Sequence, residues 1–231
     1  MALILHLETA TTVCSVSVAK DGQLLALKEQ NGDYSHAENL TLFIENAIQQ
    51  SGTSLSEVDA IAVSKGPGSY TGLRIGVSTA KGLCYSLGKP LIAINTLQHL
   101  AGSVITQTSN IQHPTSFFCP MIDARRMEVY CAIFNAQGNE IEPTAAVIVD
   151  EQSFAHLLKD HTVYFFGDGA AKCKDTLSGN PHAVFIDHIV PSAKDMIALA
   201  EKAFNEKQFE DVAYFEPFYL KDFVAGKKKG E

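Results

Sequence analysis

The chain has 231 residues, 46% of them hydrophobic and 19% charged, with 16 Gly, 8 Pro, 5 Cys and no Trp, a composition that excludes disordered and collagen-like chains. Eighteen Lys and Arg against 26 Asp and Glu leave a net charge of −8, a field that repels phosphate backbones and speaks against stand-alone nucleic-acid binding. No apolar run reaches the ~20 residues that cross a bilayer, and Cys14, Cys84, Cys119, Cys131 and Cys173 form no CxxC pair, so buried, reduced thiols in a cytoplasmic chain without a membrane role are expected.

Three strands open the chain: Leu3 to Glu8, Cys14 to Lys20 and Leu24 to Gln30, the last two joined by the hairpin dipeptide Asp21-Gly22. Ser35 and Glu38 form a capping box ahead of Leu40, Phe43, Ile44, Ala47 and Ile48, whose spacing predicts a helix from Ser35 to Gln50. Ala60 to Ser64 reads as a buried strand, followed by the glycine turn Lys65-Gly66-Pro67-Gly68-Ser69-Tyr70-Thr71-Gly72. A helix to Leu87 comes next, its stripe Leu73, Val77, Ala80, Cys84 and Leu87 stopped by Gly88 and Pro90, and Leu91 to Asn95 is the following strand. The polar stretch Thr106 to Thr115 is the one convincing linker, placing one lobe at 1–105 and another at 116–231.

The second half repeats this order. Phe117 to Asp123, Glu128 to Asn135 and Glu140 onward read as strands, with Gln137-Gly138-Asn139 as the turn. Leu3 aligned with Phe117 gives an offset of 114, and Gly22 with Gly138 gives 116, which points to internal duplication. Val163 to Phe166 is a strand, Gly167-Asp168-Gly169 a turn, and Ser192 to Gln208 a helix capped by Ser192 with Asp195 at the third position. The predicted fold is α/β, two lobes each with a mixed sheet flanked by helices, with the last segment free to pack back on the first lobe. Lys227, Lys228 and Lys229 read as a solvated tail.

Glu8-Thr9-Ala10-Thr11-Thr12 falls at the turn after the first strand, where a carboxylate and hydroxyls suit phosphate and hydrated magnesium; Asp123 ends the repeated first strand and would face the same cleft. Ordinary turn formation explains the same letters. The glycine turn lacks both the P-loop and the dinucleotide-binding order, so it is either an anion cradle or only a tight turn. Gly72 and Gly76 stand four apart in a helix, where each costs about 1 kcal/mol relative to Ala. Close approach of another backbone would offset that, and apolar residues off the main stripes, Leu42 and Ile75, favour a partner's surface over the chain's own sheet. The eight histidines contain no H-E-x-x-H and no pair four apart, and there is no G-x-S-x-G elbow.

Taken together, Leu7-Glu8-Thr9-Ala10-Thr11 with Cys14-Ser15-Val16, the run Lys65 to Gly76 (KGPGSYTGLRIG), Ile122-Asp123-Ala124-Arg125 with Glu128-Val129-Tyr130, Gly167-Asp168-Gly169-Ala170 and Pro217 to Leu220 resemble the bacterial TsaB (YeaZ) family. The resemblance implies the duplicated actin-like fold shared with sugar kinases and Hsp70, and a part in making threonylcarbamoyladenosine beside the tRNA anticodon. It implies a non-catalytic subunit that supports the paralogue TsaD together with the ATPase TsaE, meets tRNA only through that complex, and forms a homodimer when alone. The expected interface lies on the two first-lobe helices at His36, Leu40, Phe43, Ile44, Ala47, Tyr70, Gly72, Leu73, Gly76, Val77, Ala80 and Cys84. No cofactor is required, while ATP or ADP with magnesium in the complex would touch Glu8, Thr9, Thr11, Asp123, Gly167, Asp168 and Gly169.

TsaD carries N-H-x-E-G-H after the equivalent strand, its two histidines holding a metal. Here Asn95-Thr96-Leu97-Gln98-His99-Leu100 puts Thr96 and Leu100 at the ligand positions and His99 one place early. A chain without that pair is not expected to transfer the group by itself. The family often has Asp where this chain has Glu8, which puts magnesium placement there in doubt. The rival readings are a metal-dependent peptidase, a small-molecule kinase of the same fold, and a free nucleotide-sensing dimer.

Overall fold

The computed structural model describes residues 2–32, 36–107 and 115–221. Strands β1 (Leu3–Glu8), β2 (Val13–Lys20), β3 (Gln23–Asn31), β4 (Ala60–Gly66) and β5 (Leu91–Asn95) form one sheet in the order β3-β2-β1-β4-β5. The hairpin neighbours pair antiparallel and β4 and β5 join in parallel. Alternation along β1 sends Leu3, Leu5 and Leu7 to the face covered by helices α1 (His36–Ser51) and α2 (Tyr70–Leu87), where they meet Leu40, Ile44, Ala47, Val77, Ala80 and Cys84. Every residue of β1 is buried, so its polar members, His6 and Glu8, must find partners inside.

Helix α3 (Thr96–Gln107) starts without a loop after β5, because Asn95 Oδ1 accepts the N–H groups of Leu97 (2.8 Å) and Gln98 (3.2 Å). The second sheet comprises β6 (Phe117–Asp123), β7 (Glu128–Asn135), β8 (Glu140–Ile148), β9 (Val163–Phe166) and β10 (Ala183–Ile186), with one-turn helices α4 (Ala155–Leu158) and α5 (Lys174–Leu177) between strands. Its order, β10-β9-β6-β7-β8, is the first sheet's order read from the other side, so the repeat expected from residue offsets is a repeat of topology. Leu97, Leu100, Ala101 and Val104 of α3 pack on Phe118, Ile122, Ala132 and Phe134, which makes α3 the helix between the lobes.

After the second sheet the chain returns to the first. A 3-10 turn (Ala193–Met196) and α6 (Ile197–Asn205) cover the far face of the first sheet, where Met196, Ala200 and Ala203 meet Ile4, Ala62, Ile92 and Ile94. The expected single helix from Ser192 is therefore shorter, and Ser192 does not cap it: its hydroxyl donates to Glu29 Oε2 (2.6 Å) instead. Ser35, most of the linker (108–114) and Lys227 to Lys229 lie outside the described residues. All five cysteines are free and buried, and burial pushes the Cys84 thiol up to about 12 and that of Cys14 to about 11. Among the described residues no helix is long and apolar enough to cross a membrane.

Candidate functional site

The turns at corresponding strand ends of the two sheets enclose a cleft of about 740 Å3. The first lobe contributes the β1–β2 turn (Ala10, Thr11, Thr12) and the start of α2 (Gly68 to Thr71); the second contributes Ile122 to Arg126, Glu128, Tyr130 and Asp168. Charges of both signs meet there. Lys172 pairs with Asp123 and donates to Glu128 O (2.6 Å), while the Asp123 N–H reaches Asp168 Oδ1 (3.3 Å). Asp168 is open to the cleft along one side yet walled in by protein, and this enclosure, aided by the Asp123 charge, pushes its carboxyl up to about 6.

Only three of the expected nucleotide contacts, Thr11, Asp123 and Asp168, line this cleft. Glu8 does not face Asp123 across it, contrary to expectation. Its Oε1 accepts the Ala10 N–H (2.5 Å), its Oε2 lies 2.7 Å from His99 Nε2, and both side chains are fully buried. The carboxylate thus shapes the turn and ties β1 to α3. Thr9 is likewise turned inward, donating to Gly72 O (2.8 Å). Gly167 and Gly169 press on the backbone of Met121 and Ile122 behind the cleft wall.

The interface expectation also needs correction. His36, Leu40, Ile44, Ala47, Gly72, Leu73, Gly76, Val77, Ala80 and Cys84 are buried in this chain's own first lobe. An amphipathic helix on a sheet turns its apolar stripe to that sheet, which is why these stripes face inward and not toward a partner. His36 Nε2, for instance, lies 2.8 Å from Thr11 O. The helical glycines have the same cause: a Cβ on Gly72 would collide with the Thr9 carbonyl and one on Gly76 with the Thr9 hydroxyl, so the close neighbour of both is the chain's own Thr9, by its backbone at Gly72 and its side chain at Gly76. Phe43 is half-buried against the same core, and Tyr70 stands at the cleft with its ring 4.8 Å from that of Tyr219. What the two helices do present to solvent includes Leu42 and Tyr85, 53% and 88% exposed.

A family model described as TsaD, tRNA N6-adenosine threonylcarbamoyltransferase, matches residues 30–229. The tRNA threonylcarbamoyladenosine biosynthesis protein TsaB of Escherichia coli strain K12 is 31% identical over 230 residues, 97% of each chain. The chain belongs to the TsaB (YeaZ) family. YeaZ from Pseudomonas aeruginosa superposes with a TM-score of 0.77 at 25% identity, over 95% of this chain and all of that one. An activator of 2-hydroxyisocaproyl-CoA dehydratase from Clostridium difficile shares the fold alone, with a TM-score of 0.52 at 10% identity over 89% of this chain and 96% of that one. The duplicated actin-like architecture follows from these and from the repeated sheet order.

The residues that follow β5 do not fit a metal at the place where the resemblance to TsaD would put one. The Thr96 hydroxyl lies 2.7 Å from Ser64 Oγ, Leu100 is sealed in the apolar cluster under α3, and the Nε2 of His99 is taken by Glu8. Among the described residues no three His, Cys, Asp or Glu side chains converge as a metal site. Three features of the site escaped sequence reading: the Glu8–His99 contact, the Lys172 pair with Asp123, and the C-terminal residues Phe218 to Lys221 along the cleft. The first had a signal, since His99 is the one polar ring on the buried face of α3.

Proposed function

We propose that, within tRNA threonylcarbamoyladenosine biosynthesis, this chain is a non-catalytic subunit that supports TsaD together with TsaE. The observation that carries this reading is the fate of the motif after β5: of its would-be donors, one is a leucine in a core, one a hydroxyl paired with Ser64, and the nearby imidazole belongs to Glu8. That donor set weighs equally against a metal-dependent peptidase.

The two lobes, built on 1–105 and from 116 onward, divide the work, the first carrying the docking helices and taking back the last segment of the chain. TsaD sits on the solvent-facing sides of α1 and α2, where Leu42 and Tyr85 are exposed and Ile75 is half-buried, and not on the stripes that hold the lobe together. The same face pairs two copies when TsaD is absent, and tRNA is met only through the complex. ATP or ADP with magnesium is no requirement of the isolated chain, and where the complex uses it, this chain's contacts are Thr11, Asp123 and Asp168. The test is copurification with TsaD of the double variant Leu42→Glu/Tyr85→Glu. Capture is lost while the melting temperature stays within about 2 °C of the parent, as expected for exposed substitutions; undiminished capture would remove the docking face.

A further inference from the structure

Residues 206–221 leave α6, run along the first lobe and finish in the cleft. The Glu210 N–H donates to Leu91 O (2.9 Å), Lys81 Nζ donates to the carbonyls of Ala213 (3.2 Å) and Phe215 (2.9 Å), and the Phe218 N–H donates to Lys65 O (2.7 Å). Val212 and Phe215 add apolar contact with the core beneath α1 and α2. The first lobe is shaped for this strap: Gly66 has φ +109°, and a Cβ there would stand 2.8 Å from Phe218 O.

Beyond Phe218 the strap crosses to the other lobe. The Tyr219 ring lies against Tyr70 on one side of the cleft, whereas Lys221 pairs with Glu128 and lies 6.0 Å from the Tyr130 ring, both on β7. Glu128 ends a turn that needs holding, because Arg125 and Arg126 have φ of 71° and 49°, and two successive non-glycine residues rarely adopt left-handed backbone. That turn is fastened from within its lobe by the Asp123 carboxylate, which accepts the Arg125 N–H (3.0 Å), and by Lys172 on Glu128 O (2.6 Å). Lys221 is the fastening that arrives from the strap.

We propose that Phe218 to Lys221 form a clasp joining the two lobes across the cleft, with Lys221 holding the left-handed turn at Arg125 and Arg126 to a strap anchored on the first lobe. The clasp sets how far the cleft opens. It requires neither TsaD nor nucleotide, so its failure leaves the docking proposal standing, and the reverse.

Amide hydrogen exchange on the full chain tests it, compared among the parent, Lys221→Met, Glu128→Gln and the double variant. The amides that report are Ala124 and Glu128, which close the turn onto Glu128 O (3.0 Å) and Arg125 O (3.1 Å). Each single variant should exchange there about threefold faster with β1 and β6 amides unchanged, and the double variant should be no faster than the singles. Unchanged exchange in the singles, or additive acceleration in the double, would overturn the clasp. Tyr219→Ala leaves the ion pair's residues in place and should accelerate the same two amides; acceleration confined to residues 217–221 would also overturn it.

Discussion

Two alanines on one helix should move stability in opposite directions. Gly72 and Gly82 both lie in α2, so each substitution gains about 1 kcal/mol of helix propensity. At Gly82 a Cβ meets nothing within 4 Å, and the gain stands alone. At Gly72 the Cβ would stand closer than 3.0 Å to the Thr9 carbonyl oxygen, a backbone atom that moves only with the β1–β2 turn. Overpacking of that kind costs about 3 kcal/mol, leaving Gly72→Ala destabilised by about 2 kcal/mol. For a chain of this size 1 kcal/mol corresponds to about 2–4 °C, so thermal unfolding should show Gly82→Ala roughly 2–4 °C above the parent and Gly72→Ala about 4–8 °C below it. Shifts of the same sign would refute the claim that Gly72 is kept by this chain's own backbone.

Leu73→Glu should cost more than 4 kcal/mol and abolish folding at 37 °C, since Leu73 is 1% exposed and a carboxylate there has no partner; urea denaturation checks this against Leu42→Glu, which should be within about 0.5 kcal/mol of the parent. His99→Leu alone strands the buried Glu8 carboxyl and should destabilise by about 3 kcal/mol, while the double variant Glu8→Leu/His99→Leu should recover part of that, and equal losses in both would contradict the pairing. Burial pushes the His6 pKa down to about 4 from 6.5, so the unfolded chain binds the extra proton first and stability falls as pH drops from 6.5 to 4. The His6 share is about 3 kcal/mol at pH 4, measured as the difference in pH slope between the parent and His6→Gln, and identical slopes would refute it.

The repeat and the strands were legible because their signals are local. β1, β5, β6, β7 and β9 start and end where alternation and turn residues put them. Helix α3 was harder: Gly102, Val104, Ile105 and Thr106 are indifferent helix formers, and its start depends on Asn95, which reads equally well as a strand end. The site was legible in composition and not in direction. Sequence placed Glu8, Thr9, Thr11, Asp123 and Asp168 near strand ends, but whether a side chain points into a cleft or back into the lobe depends on partners far along the chain, His99 for Glu8 and Gly72 for Thr9. The apolar stripes of α1 and α2 failed for a related reason. Periodicity reveals that one face is buried and says nothing of whose surface buries it. The strap contact could not be read at all, since Tyr70 and Tyr219 are brought together only by the finished fold.

The most direct measurement is reconstitution of tRNA threonylcarbamoylation from purified TsaD, TsaE and this chain, supplied with threonylcarbamoyl-adenylate as donor and with ATP, with product counted on the tRNA. Product should form with all three, fall to background when this chain is omitted, and never form with this chain alone. Modification of tRNA by the isolated chain, or undiminished product in its absence, would contradict the account.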